Sequence, residues 1–459
     1  MRRIDFEISE RKVLLRILDV VFVLSGLHLV GSYFELEYFT LTKESWYWAV
    51  VLAVYITLIG TVFELYDLQS SSRWDSTFKN VVLTASVTVL FYLLTPVLTP
   101  FLPVKRIEIV YFYLIIVMGI FLWRILYMTL LSSPRFYKRV LVIGEIEHVK
   151  SMIETLRVID PNYDIFGFIN TDKTSYGDIA DLKEFQADQI KAVISENKIN
   201  ETVVATYNDE AITPKLYQNL ISLIEQGHLI REYSQVYEAI VHRIPVQFVG
   251  KDFYRYFPFS RSNKNQLYQI FSRTLDIVVS VIGLIFMVIL IPFVLLGNLI
   301  GNKGPLFYTQ ERVGKNGRPF KIIKFRTMVT HAEADGAKWA EANDSRVTPF
   351  GRFLRNSRID ELPQFLNVIK GQMALIGPRP ERPIFVKELS EVIPFYETRH
   401  VIKPGLTGWA QVKMRYGSSV DDSLIKLQYD LFYIKRRSFF LDVNVIFKTI
   451  STILYYRGQ

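Results

Sequence analysis

The alternation of hydrophobic and polar positions divides the chain into three textures. Four long apolar stretches fill the first third, at residues 13–34, 45–63, 81–104 and 109–131. Each supplies about the 20 residues that a helix needs to cross a hydrocarbon core of ~30 Å, so four transmembrane helices are predicted over residues 1–133. From 134 to 250 the pattern shortens. Residues 140–144 (Val-Leu-Val-Ile-Gly) read as a buried parallel strand ending in a tight turn and 201–206 as a second, while 150–158 and 216–226 have the spacing of amphipathic helices. This alternation predicts a cytoplasmic α/β domain of Rossmann-like pattern. A dinucleotide site would place Gly-x-Gly-x-x-Gly after the first strand, whereas this turn reads Gly144, Glu145, Ile146, Glu147, His148, with acids where a pyrophosphate would approach. The domain is accordingly read as degenerate, a regulatory or packing module.

A polar, aromatic linker at 251–268 leads to one more apolar run, at 277–300. Its length suits a fifth span, but Pro292 inside it removes a helical hydrogen bond and forces a bend. Charge bears on the choice. Arg2, Arg3, Arg11, Lys12 and Arg16 precede or open the first apolar stretch, and Arg135, Lys138 and Arg139 follow the fourth, which places both ends in the cytoplasm. No small-residue cleavage site closes the first stretch, so it is read as an uncleaved anchor. A crossing at 277–300 would carry the charged C-terminal part out of the cell. A re-entrant helix over about 272–300, broken at Pro292, would keep residues 269–459 inside.

Composition changes this picture little. Half of the 459 residues are hydrophobic and 14% are aromatic, which fits a membrane protein with soluble parts. The formal charge of +9 is open to nucleic acid, anionic lipid or phosphorylated substrates, and the apolar stretches favour the last two. We expect no nucleic-acid partner. With no cysteine in the chain, disulfides, thiolate metal sites and cysteine nucleophiles are excluded.

The C-terminal part holds the unusual local chemistry. Lys321, Lys324 and Arg326 lie in a run whose strand-like alternation would put Lys324 and Arg326 on one face. Two such cations can grip a pyrophosphate; a solvated basic strand has the same pattern. Further on, Arg346, Arg352, Arg355 and Arg358 lead into Asp360, Glu361, Leu362 and Pro363. Proline is tolerated only in a first helical turn, so a helix is predicted from Asp360 to Lys370, ended by Gly371. The helix dipole would then keep Asp360 ionised, and the arginines would neutralise phosphate. An ionised carboxylate can attack phosphorus without a general base. The plainer reading makes Asp360 an N-cap with an acidic neighbour. Two loops follow. The prolines of Gly377-Pro378-Arg379-Pro380 hold Arg379 in a fixed direction, and Trp409, after Gly405 and Gly408, suits a membrane interface or an active-site rim.

Taken in order, Lys-Phe-Arg-Thr-Met, Arg-Ile-Asp-Glu-Leu-Pro-Gln, Gly-Pro-Arg-Pro and Pro-Gly-Leu-Thr-Gly-Trp resemble the bacterial sugar transferase family. These are the polyprenyl-phosphate hexose-1-phosphate transferases that initiate exopolysaccharide, capsule and O-antigen synthesis. The resemblance covers about residues 265–458, and the four spans with an α/β domain look like the long subclass. It implies a monotopic, α-rich catalytic domain on the cytoplasmic face of the bacterial inner membrane, held by a re-entrant helix broken at a proline that matches Pro292. It also implies Asp360 as nucleophile and Glu361 as a Mg²⁺ ligand, the two forming the metal site, with Arg379 contacting a substrate phosphate and Lys324 and Arg326 in the same basic site; Arg346, Arg352 and Arg358 are read from the sequence itself as further substrate-binding residues. The implied reaction is ping-pong, from a UDP-sugar through a phospho-aspartyl intermediate to undecaprenyl phosphate, with release of UMP. Membrane lipids are further partners, and a homodimer is compatible with the subclass. Two other readings compete. A membrane-tethered NAD-dependent nucleotide-sugar dehydratase or epimerase would need the glycine-rich loop degraded at Gly144 and a Tyr-x-x-x-Lys pair absent from the chain. A non-enzymatic scaffold or sensor of a polysaccharide export complex would need neither.

Overall fold

The computed structural model describes residues 8–34, 46–66, 74–103, 105–131, 138–159, 163–172, 182–206, 212–246, 265–330, 332, 344–414, 417 and 419–454. The basic flank at Arg2, Arg3 and Arg135 and most of the 251–268 linker lie outside the described residues. The chain forms two compact units, Met1–Val241 and His242–Gln459.

The first unit opens with helices α1 (Ile8–Phe34), α2 (Trp46–Val62), α3 (Trp74–Leu94) and α4 (Ile107–Leu126), the last extended by a π-helical turn, Tyr127–Leu131. Among the described residues of this unit, α1, α3 and α4 are long and apolar enough to cross a membrane; α2, at 17 residues, spans about 25 Å. Leu15, Val23, Ile56, Val81, Ile116 and Ile120 form their common core. Gly119 lets α4 approach α1 closely, since a Cβ there would stand 3.1 Å from Val23 Cα. The third helix begins and ends earlier than the 81–104 apolar run predicts. Thr95 Oγ1 donates to Phe91 O at 2.9 Å and Thr99 Oγ1 to Tyr92 O at 2.6 Å, and Pro96 and Pro100 forbid continuation, so residues 95–103 lie outside the helix, with a turn at 96–98.

Next come β1 (Lys138–Gly144), α5 (Ile146–Ile159), β2 (Tyr163–Asn170), β3 (Lys183–Phe185), α6 (Ile190–Asn197), β4 (Glu201–Ala205), α7 (Pro214–Glu225), β5 (Leu229–Glu232) and α8 (Tyr233–Val241). The strands make one parallel sheet in the order β3-β2-β1-β4-β5. Val140 to Ile143 are fully buried, as a strand covered on both faces requires. Thr213 caps α7 by accepting from Leu216 N, with Pro214 preset for the first turn.

The second unit is built on α9 (Gln266–Gly301), 36 residues and about 54 Å long. Pro292 lies within α9 without ending it, so the sequence-predicted break is no gap in the helix. An antiparallel hairpin, β6 (Phe307–Val313) and β7 (Pro319–Phe325), follows, then α10 (Pro349–Asn356), a 3₁₀ turn (Ile359–Gln364), α11 (Phe365–Ile369), β8 (Ala374–Ile376) and α12 (Pro383–Val392). A second 3₁₀ turn (Tyr396–Val401), β9 (Gly405–Thr407), α13 (Trp409–Lys413), α14 (Val420–Arg436) and α15 (Phe439–Leu454) complete it, with β8 and β9 paired in parallel. Tyr268 near the start of α9 bonds Asp442, Asp276 Oδ1 accepts from Leu375 N at 2.8 Å, and Asn298 Nδ2 near its end donates to Gly304 O at 2.9 Å. Between them Gly283 and Gly297 leave room for the rings of Phe365 and Phe350. The opposite face of α9, with Ile282, Ile285, Ile289, Phe293 and Leu296, is exposed and apolar.

Candidate active site

Asp360 and Glu361 stand on the first 3₁₀ turn, packed against β7. Arg358, in left-handed backbone conformation at φ 57°, redirects the chain from α10 into this turn. The predicted helix from Asp360 to Lys370 is thus a six-residue 3₁₀ turn followed by the five-residue α11, with Gly371 beyond it at φ 77°. Arg358, not Asp360, is the N-cap residue, and no side chain caps the turn. The plain capping role therefore has no counterpart here.

Both carboxylates are buried, Asp360 at 6% exposure and Glu361 at 9%, yet their surroundings differ. Glu361 Oε1 accepts from Lys324 Nζ at 3.2 Å and Arg379 Nη2 at 3.1 Å, and its Oε2 lies 3.8 Å from Arg358 Nη1. Burial would raise the Glu361 carboxyl, but Lys324, Arg379 and Arg358 outweigh it and hold it far below the usual carboxylate range. Among the described residues nothing donates to Asp360 Oδ1. Burial first, then the charge of Glu361, push the Asp360 carboxyl up to about 6 against the pull of Lys324, Arg355 and Arg358. A dipole was expected to set its ionisation; so short a turn has little dipole, and desolvation dominates. At neutral pH Asp360 is still mostly ionised.

The structure gathers Lys324, Arg358 and Arg379 around Glu361, keeps Arg355 within electrostatic reach of Asp360 with its Nε donating to Thr327 Oγ1 at 3.0 Å, and sends Arg326, Arg346 and Arg352 elsewhere. Strand alternation ends at Phe325, so Arg326 leaves the face of Lys324. Its guanidinium bonds Pro305 O at 2.8 Å, Met328 O at 2.9 Å and Asn302 Oδ1 at 3.0 Å, tying β7 to the end of α9. Arg346 pairs with Asp344 through Nη2 at 2.5 Å, and Arg352 is exposed on α10. Trp409 is 2% exposed, stacked on Phe432 with its Nε1 donating to His242 O at 3.2 Å. It is a core residue rather than an interface or rim residue.

The two loop motifs, separate in sequence, interleave. Gly377 N donates to Thr407 O and Gly405 N to Pro378 O, both at 2.9 Å, and a Cβ on Gly405 would stand 2.1 Å from Gly377 N. This clasp fixes the backbone that carries Arg379. Behind it, Arg399 Nη2 reaches Asp430 Oδ2 at 2.7 Å and donates to Arg379 O at 3.1 Å. Arg399 and Asp430 were missed by sequence reasoning, because nothing in their local spacing marks a pair formed across the fold.

A family model described as bacterial sugar transferase matches residues 267–456. The UDP-N-acetylgalactosamine-undecaprenyl-phosphate N-acetylgalactosaminephosphotransferase of Aeromonas hydrophila is 38% identical over 256 residues, 55% of this chain and 59% of that protein. The UDP-glucose:undecaprenyl-phosphate glucose-1-phosphate transferase of Klebsiella pneumoniae is 39% identical over 197 residues, 42% of each chain. The match thus spans about half the length of these relatives. A protein of the same name from Caulobacter vibrioides is 38% identical over 186 residues, 40% of this chain and 69% of that one. The chain belongs to the bacterial sugar transferase family. With its long apolar helices, this sugar transferase is a membrane-bound protein that also carries an α/β domain.

Proposed function

We propose that this sugar transferase moves a hexose-1-phosphate from a UDP-sugar to undecaprenyl phosphate, beginning a repeat unit of exopolysaccharide, capsule or O-antigen. The names of its relatives support the donor and acceptor classes. One observation carries the mechanism. Of two adjacent buried carboxylates, Glu361 is held by three cations while Asp360 keeps an oxygen to which nothing among the described residues donates.

In the proposed first step an Asp360 oxygen attacks the sugar-bearing phosphorus, the bond to the UMP oxygen breaks, and a sugar-phosphoryl aspartate remains. Undecaprenyl phosphate then attacks the same phosphorus through a phosphate oxygen, returning Asp360 as a carboxylate and yielding undecaprenyl-diphosphate sugar. Lys324, Arg358 and Arg379 border the reacting phosphorus and counter its charge. The unpaired Oδ1 of Asp360 beside Glu361 fits Mg²⁺, which commonly binds one or two carboxylates and takes its other ligands from phosphate and water. Asp360 and Glu361 would hold it. When bound, Mg²⁺ supplies charge neutralisation on the diphosphate.

Residues 269–459 are proposed as a cytoplasmic catalytic domain on the inner membrane, with α9 re-entrant. Contacts of one unit along α9, from Tyr268 with Asp442 to Gly297 beside Phe350 and Asn298 with Arg326, support this, because a straight crossing would draw the ends of the helix to opposite sides of the bilayer. The strand order supports a Rossmann-like module in the first unit. There Ile146 N donates to Asp172 Oδ2 at 3.0 Å and Thr206 to Glu145 Oε1 at 2.7 Å, so the protein's own carboxylates lie where a dinucleotide would put its phosphates.

The test is a covalent adduct. With radiolabelled UDP-sugar and Mg²⁺ but no lipid acceptor, wild type should retain hydroxylamine-sensitive label, and Asp360→Asn should retain none and lose turnover by several orders of magnitude. Normal turnover in Asp360→Asn, or label on another residue, would refute the assignment.

A further inference from the structure

We propose that the helix bundle of the first unit holds a second phosphate site. In this site Arg16 and Arg124, converging on Tyr66 with Asp19 bonded to Arg124, take the phosphate headgroup of an anionic lipid whose chains lie in the seam between α1 and α2. The site is independent of the Asp360 chemistry.

Arg124 Nη2 meets Asp19 Oδ2 at 2.7 Å, with both side chains 0% exposed, joining α4 to α1. The guanidinium carbons of Arg16 and Arg124 lie 5.2 and 5.6 Å from the centre of the same Tyr66 ring. That ring is placed by the backbone. Past α2, Glu64 adopts left-handed φ 56° and Leu65 N donates back to Gly60 O at 2.8 Å, which folds Tyr66 over the helix. Gly60 makes the fold possible, since a Cβ there would stand 2.9 Å from the Tyr66 ring. A non-glycine residue in this conformation costs about 1 kcal/mol, a cost that a loose helix end would relax away.

Three donor-only atoms in the cluster, Arg16 Nε, Arg124 Nε and Arg124 Nη1, are buried and have no partner among the described residues, and the same holds for the acceptor-only Asp19 Oδ1 and the Tyr66 hydroxyl, which can do either. Among the described residues Asp19 is bonded to Arg124, and the Arg16 charge beside the same Tyr66 ring has no carboxylate bonded to it, a surplus that is expensive among apolar helices. Excess donors and positive charge select an oxyanion over a metal cation or a sugar hydroxyl. Phosphate, which accepts several charge-assisted hydrogen bonds from arginine, fits them.

The depth fits a lipid. Arg16 lies ~12 Å along α1 from Ile8, and Arg124 ~10 Å before the π-helical turn ends at Leu131. Arg11 and Lys12 mark the first of these ends and Lys138 follows the second, so both arginines sit just inside the basic rim of the bundle. The α1–α2 seam is also the loosest of those between sequence neighbours around the bundle, whereas α1 packs closely on α4.

The full-length protein in phosphatidylcholine nanodiscs, titrated with phosphatidylglycerol and in parallel with inorganic phosphate, tests this, with bound lipid counted by native mass spectrometry. We expect one tightly held phosphatidylglycerol per chain and a loss of about tenfold or more in affinity in Arg16→Gln. Asp19→Asn, which removes the competing carboxylate, should bind the lipid more tightly than wild type. A cluster that merely locks the helices predicts the reverse pattern: lipid affinity unchanged in both variants, with a lower melting temperature in Asp19→Asn. That result would overturn the proposal. Inorganic phosphate binding as tightly as the lipid would overturn the lipid as its occupant. Arg16 is only partly buried, so Arg16→Gln keeps the test decisive even where Asp19→Asn fails to insert.

Discussion

Asp360 and Glu361 are neighbours in sequence whose environments drive their proton affinities apart, and the separation has a measurable cost. The Asp360 carboxyl, lifted to about 6, holds its proton more tightly in the folded than in the unfolded chain. Its charge therefore destabilises the fold above pH 6, and the penalty fades as pH falls through 6. We predict that in EDTA at pH 7.5 Asp360→Asn is more stable to melting than wild type, by an amount on the order of 3 kcal/mol, and that the gap is roughly halved near pH 5 and closes below about pH 4. An unchanged melting temperature at pH 7.5 would mean that the folded state already compensates the charge. With Asp360 as the proposed nucleophile, turnover is predicted to run the other way, declining as pH drops through about 6 and the carboxylate takes up its proton. The acidic pair was legible in the sequence because Asp360, Glu361 and Pro363 are local. The partners that set its ionisation come from β7 and the Arg379 loop, and the fate of Arg326 was decided by Asn298 and Asn302, too far back along the chain for spacing to reveal.

The clasp between the Arg379 loop and the strand after Lys403 shows the same limit in larger pieces. Each half reads as an ordinary glycine and proline turn, and only their interleaving explains why glycine is needed at both Gly377 and Gly405. A methyl group on Gly405 would meet backbone, which cannot swing aside as a side-chain tip can. Gly405→Ala should thus destabilise the second unit by about 1–3 kcal/mol and reduce activity beyond that loss, because Arg379 is displaced from Glu361. Thermal melting beside turnover at a permissive temperature checks this; wild-type activity in the variant would show that Arg379 does not depend on the clasp. Of the helices, α1, α2 and α4 follow their apolar runs, while α3 departs from its run because hydropathy registers apolar residues 95–103 but not the prolines that keep them from being helical.

Over the whole molecule, the decisive question is on which side of the bilayer the second unit lies. A cysteine at Ser438, between α14 and α15, should be shielded from an impermeant thiol reagent in intact cells and labelled once they are opened; the chain has no other cysteine to confuse the result. Labelling from outside would show that α9 crosses. The long reach of the α9 contacts also governs how the protein is made. Tyr268 meets a partner 174 residues further on, and Asp276 one 99 residues on. At about 5–20 residues per second, ~10–35 s of translation separate the emergence of the helix from that of its last partner. During that interval α9 is an apolar segment with buried-type polar groups and nothing to bury them against. We predict that the membrane holds it in a provisional position and that the second unit then assembles onto a helix already in the lipid, so that ribosome speed and lipid composition act on the yield of active enzyme before any substrate is bound.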